Sequence, residues 1–264
     1  MNTHEQLRTY CKALRLPTLA EVLGETLGRA ERESWSMESC LLHLLEQEVE
    51  GRRRRRIERL MKQSQLPPGK TLAQFDYSRL PLRIRRLLPK LEQGDFVERS
   101  QNVLFFGLPG TGKTHAAAGL GHSLIETGRS VLFIPTFKLV GRLLAAKRDY
   151  ELERELRRLD SFDVVILDDI GYVQQSREEM EVLFTFLAER YERRSLIITS
   201  NLVFSEWDKI FKDPLTTAAA IDRIVHHSII IEFGNDIKSL RMEEAARRHQ
   251  HDLAAFESEQ KHVG

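Results

Sequence analysis

The stretch that most constrains this chain is residues 101–116, QNVLFFGLPGTGKTHA. An apolar run leads into a loop with three glycines and then into helix-forming sequence. The loop reads Gly107, Leu108, Pro109, Gly110, Thr111, Gly112, Lys113, Thr114, which fits G-x-x-x-x-G-K-[ST], the phosphate-binding loop. Glycine permits backbone angles and close approaches that a Cβ would block. Successive N–H groups can then turn inward as a nest for phosphate oxygens. A helix beginning near Lys113 adds its unpaired N–H groups and the positive end of its dipole. In this pattern Lys113 reaches the β- and γ-phosphates, Thr114 ligates Mg2+ through its hydroxyl, and His115 borders the contact set. The expected cofactors are ATP and Mg2+.

A second constellation lies downstream. Val164, Val165, Ile166 and Leu167 form an apolar strand that ends in Asp168 and Asp169. Asp168 is the candidate for holding Mg2+, and Asp169 for orienting or deprotonating the attacking water. Residues 197–201, IITSN, end another strand in polar residues. In a parallel sheet the C-terminal strand ends share one edge, where ligands bind, so Asn201 is expected near the γ-phosphate or the water. Strands are expected at 102–106, 130–134, 163–167, 196–199 and 228–233. Helices are expected at 113–126, with Gly128 as its C′ residue, at 137–159 and at 176–193. The fold class is α/β, a five-stranded parallel sheet flanked by helices and preceded by a small all-α domain.

That front domain, residues 1–66, shows apolar positions at helical spacing: Leu7, Cys11 and Leu14, then Leu19, Leu23 and Leu27. Two helices split near Pro17 are expected, with Thr18 as N-cap. A third, starting near Ser36, carries Met37, Leu41, Leu44, Leu45 and Glu48 on one side and runs into Arg52, Arg53, Arg54, Arg55 and Arg56. Five consecutive arginines at 100° each cover the whole helix circumference, so most must face solvent or phosphate. Two readings follow: a solvated charged helix, or a docking surface for nucleic-acid backbone. In the second, these arginines with Arg59 and Lys62 contact phosphates and show little sequence preference. Residues 64–72, SQLPPGKTL, read as a linker. The segment 67–100 then holds linker and basic helix, 101–238 the core, and 239–264 a C-terminal helix and tail. Residues 1–101 carry 19 Lys/Arg against 14 Asp/Glu and the rest 21 against 25, an asymmetry hidden in the net +1.

No apolar run approaches membrane-spanning length, and the N-terminus lacks a signal-peptide core, so no membrane partner is expected. Cys11 and Cys40 are the two cysteines, without a C-x-x-C pair, which points to a reducing compartment and no structural zinc. His226 and His227 are adjacent, so on a helix their side chains should diverge, and a metal enzyme is not expected.

These motifs resemble the AAA+ ATPases of the DnaC/IstB group, and within it the IstB-like helpers of bacterial insertion sequences. Residues 107–114 match the Walker A motif, 164–169 Walker B, and Asn201 the sensor 1 position. Softer features are the helical front ending in the arginine run, TLAQFDYSRLP at 71–81, and AIDRIVHH at 220–227. By this resemblance Arg223 is an arginine finger reaching a neighbouring subunit's γ-phosphate. Arg241 is a sensor 2-like contact, and Lys138, Arg142, Lys147 and Arg148 face DNA. Asp169 stands where many relatives carry Glu, which implies slow hydrolysis. The resemblance implies an ATP-dependent factor of the bacterial cytoplasm. It would form a ring or spiral of its own copies on double-stranded DNA and recruit and stimulate a transposase. Hydrolysis would dissolve the assembly. Two alternatives are a DnaC/DnaI-type helicase loader and a nucleotide-dependent scaffold that binds no DNA.

Overall fold

A computed structural model describes residues 3–172, 176–202, 206–207 and 214–234, with Tyr172 and residues 214–217 as backbone only. Strands β1 (Asn102–Gly107), β2 (Val131–Pro135), β3 (Val164–Asp168), β4 (Ser195–Ser200) and β5 (Ser228–Phe233) all run parallel, in the order β2-β3-β4-β1-β5. Helices in chain order are α1 (Thr3–Ala13), α2 (Pro17–Arg32), α3 (Met37–Ser64), α4 (Leu82–Glu92), α5 (Asp95–Glu98), α6 (Lys113–Glu126), α7 (Thr136–Arg148), α8 (Leu152–Asp160), α9 (Arg177–Arg190) and α10 (Pro214–Val225).

The strands are apolar on both sides because helices cover both sheet faces. Leu104, Phe106, Leu132, Ile134, Val165, Leu167, Leu196 and Ile198 alternate along their strands and pack against α7, α8, α9 and α10. The opposite face meets α6, where Ile166 lies against Gly121. Gly128, at φ 87°, closes α6 as expected: its N–H donates to the Ile125 carbonyl and that of Arg129 to Leu124.

The helix expected at 137–159 is instead two. Tyr150 takes the left-handed position (φ 57°) that glycine usually fills, and the Glu151 N–H donates back to the Ala146 carbonyl, ending α7. Nothing in the charged run RDYELERELRR signals that stop. At the other end of this layer Arg190, 2% exposed, donates to the carbonyls of Leu159, Phe162, Asp163 and Ser195. One guanidinium thus ties the start of β3 and β4 to the end of α8. Burial lowers its pKa to about 10, against the opposing pull of Asp160 and Asp163.

The chain divides into two compact units, Met1–Lys62 and Gln63–Gly264. In the first, Cys11, Leu19, Leu23 and Leu44 make the core, with Cys40 packed against it and both cysteines free. Leu7, Leu14, Met37, Leu41 and Leu45, read from the sequence as apolar positions at helical spacing, are exposed. The 28 residues of α3 outrun the 16 of α2, so α2 cannot cover α3's full length. Thr18 is not an N-cap either. Pro17 opens α2 after Leu16, and the Thr18 hydroxyl accepts from Arg55. Ser36 does open α3, accepting from the Ser39 N–H.

In the second unit the 64–72 stretch lies along α6. Leu66 and Leu72 fill the notches left by Gly121 and Gly119, and the Pro67 and Thr71 carbonyls meet the rings of His122 and His115. No helix among the described residues is long and apolar enough to cross a membrane.

Candidate nucleotide site

At the C-terminal edge of the sheet lies a cleft of about 490 Å3. Its floor is the loop between β1 and α6. Gly107 (φ 146°) sits in register with Phe233 on β5, and a Cβ there would collide with the Phe233 carbonyl oxygen. Gly112 (φ 104°) immediately precedes α6, and a Cβ on it would lie 3.2 Å from the Phe75 ring. Lys113 is 8% exposed, and its ammonium donates to the carbonyls of Gly107 (2.7 Å) and Leu108 (2.8 Å). The Thr111 hydroxyl donates to the same Leu108 carbonyl. Pro109, Gly110, Thr111, Gly112, Lys113, Thr114 and His115 line the cleft, while Leu108 is exposed beside it.

Asp169, Thr199 and Asn201 form another wall. Asp169 follows β3 in the left-handed conformation, φ 62°. Its N–H donates to the Thr199 hydroxyl, which in turn donates to Asp168 Oδ1. The Asn201 side-chain oxygen is buried without a hydrogen-bond partner. That oxygen packs against Gly171, where an added Cβ would lie 2.3 Å from it. Thr114, at the helix start, lines the cleft, and Asp168, at the strand end, is absent from its lining; both carry hard oxygen donors of the kind Mg2+ prefers.

Sequence reasoning missed the remaining wall: Lys70, Gln74, Phe75, Asp76, Arg79 and Leu80. Phe75 packs edge-on against His115 and Tyr77. The Asp76 carboxyl caps the turn at 77–79 and pairs with Arg79. The Ser78 hydroxyl and N–H hold it below the usual carboxylate range, with Arg79 adding to the effect. The only available signal was an aromatic pair beside a charged pair in FDYSR, some 40 residues from the loop it meets.

Arg223 is absent from the cleft lining. Its guanidinium lies 4.8 Å from the Phe184 ring centre, with one nitrogen buried and unpartnered. Arg241 lies outside the described residues. His226 and His227 do not diverge: α10 stops at Val225, and the rings approach to 4.2 Å with Glu192 on His227 and Tyr191 on His226. All three ligand-type residues of that cluster, Glu192, His226 and His227, are exposed.

The candidate DNA contacts sort into two groups. Arg52 and Arg55 are tied to Glu48, and Arg142 and Lys147 pair with Glu155 and Glu181. Arg53, Arg54, Arg56, Arg59, Lys62, Lys138 and Arg148 have exposed side chains.

The loop, the paired aspartates and the 2-3-4-1-5 sheet define the P-loop core of an AAA+ protein. The chain superposes on DnaI with a TM-score of 0.54 at 20% identity, covering 64% of this chain and 95% of that one. It superposes on AMPPCP-bound DnaA from Aquifex aeolicus with a TM-score of 0.52 at 19% identity, covering 65% and 51%. Within that class the chain belongs to the family of IstB-like ATP binding proteins, whose profile matches residues 9–247. It is 42% identical to an insertion sequence ATP-binding protein of Sinorhizobium fredii, over 92% of this chain and 82% of that protein. It is 38% identical to the IS21 ATP-binding protein of Pseudomonas aeruginosa, over 89% of each.

Proposed function

We propose that this chain is the ATP-hydrolysing helper of an insertion sequence, assembling on double-stranded DNA and recruiting and stimulating its transposase. The observation that carries the reading is the convergence of loop, Asp169 and Asn201 on one cleft, in a chain of the IstB-like family. The loop amides and Lys113 hold the triphosphate, Phe75 and its neighbours flank it, and Asp169 and Asn201 orient the attacking water. Thr114 and Asp168 hold Mg2+, which neutralises charge on the phosphate oxygens. Asp169, one methylene shorter than glutamate, makes hydrolysis slow and suits a timed switch. Arg223 serves the neighbouring copy's nucleotide, so hydrolysis belongs to the assembly. Arginines of α3 hold the DNA backbone.

The test is nucleotide affinity together with electron microscopy on duplex DNA and a non-hydrolysable ATP analogue. Lys113→Ala should weaken nucleotide binding roughly 10- to 100-fold, from the loss of charge-assisted bonds, and abolish assembly. Arg223→Ala should bind nucleotide normally and fail to assemble. Unchanged nucleotide binding and assembly in Lys113→Ala would sink the reading.

A further inference from the structure

We propose that Thr199 is a positioning residue that locks Asp168 and Asp169 into one unit. The inference rests on the nucleotide reading of the cleft. Thr199 sits on β4 beside the end of β3 and is 1% exposed. A hydroxyl has one proton to give. Here it goes to Asp168 Oδ1 at 2.8 Å, while the Thr199 hydroxyl oxygen accepts the Asp169 N–H at 2.8 Å. The direction follows from chemistry, because an ionised carboxylate only accepts and an amide only donates.

Two consequences follow. One Asp168 oxygen is committed to the protein, which leaves Oδ2 as the atom available to a cation. The Thr136 hydroxyl on α7 holds the Asp168 main-chain carbonyl at 3.0 Å, so the residue is pinned at both ends. Asp169, meanwhile, keeps a left-handed backbone that a non-glycine residue adopts only with support. Thr199 supplies that support and aims Asp169 into the cleft wall. Asn201, just past the end of β4, lines the same wall. Movement of the Asp168 carboxylate is thereby transmitted to the Asp169 backbone through a single oxygen atom. Outer-shell hydrogen bonds to metal-binding carboxylates orient them in this way.

The experiment compares wild type, Thr199→Val and Thr199→Ser in the full chain. Thr199→Ala replaces the Val variant if that protein does not fold. Three quantities are read: amide exchange of the peptide spanning Asp169 in protein without nucleotide, ATP affinity in EDTA, and Mn2+ affinity of the protein–nucleotide complex by electron paramagnetic resonance. Thr199→Val should speed exchange at Asp169 and weaken Mn2+ binding to the protein–nucleotide complex by about 10- to 100-fold. Thr199→Ser should restore both exchange and Mn2+ affinity. A Val variant with wild-type exchange and Mn2+ affinity, or a Ser variant as impaired as Val, overturns the proposal alone. A wild type that binds no ATP overturns the nucleotide reading and this inference with it.

Discussion

At the scale of single residues, Gly107 shows how narrowly the phosphate loop is built. Its φ of 146° and the Phe233 carbonyl directly beside it exclude any side chain. Gly107→Ala is expected to cost about 1–3 kcal/mol in folding stability, as other overpacked sites do, and to weaken nucleotide binding. Gly141, on α7, has nothing within 4 Å of a built Cβ. Gly141→Ala should raise stability by about 0.5–1 kcal/mol, and denaturant titration of the two variants checks both signs. The residue pattern also explains what was readable in advance. Residues 107–114, Asp168, Asp169 and Asn201 announce themselves because their chemistry is tied to fixed local spacing. Thr199 and Phe75 do not, because their roles arise only when β4 meets β3 and when the 66–75 segment lies along α6. A one-dimensional pattern holds no record of either meeting.

At the scale of elements, α6 and β5 begin and end where the sequence places them, since loop, cap and apolar period agree there. The break between α7 and α8 and the exposed face of α3 escaped the same reasoning. The first rests on a tyrosine in a glycine's position, the second on partner length. Helix α3 also carries a buried charge. Glu48, 3% exposed, accepts from the Leu19 N–H near the start of α2 and from Arg52 and Arg55. Burial alone would raise its pKa. The Leu19 and Thr18 amides with Arg52 and Arg55 outweigh that and leave it below the ordinary 4.5. A carboxyl lowered by folding stabilises above its unfolded value, and the benefit is lost as pH falls through the folded one. The front unit should therefore lose stability below about pH 4.5. Glu48→Gln should cost about 1–3 kcal/mol at neutral pH and flatten the acid dependence, as read from thermal melts across pH.

At the scale of the whole molecule, the arginine run is two populations. Arg52 and Arg55 serve Glu48, whereas Arg53, Arg54 and Arg59 have exposed side chains. Replacing those three by Ala should leave the melting temperature unchanged and reduce the slope of log affinity for duplex DNA against log salt by about 3 per protomer. Replacing Arg52 and Arg55 should lower the melting temperature. The buried ammonium of Lys113, held by the Gly107 and Leu108 carbonyls, bears on turnover. Folding has already replaced part of that cation's hydration shell with the two carbonyls. A phosphate oxygen arriving there would displace main-chain oxygens, so filling the loop with nucleotide would demand little dehydration at the charge itself.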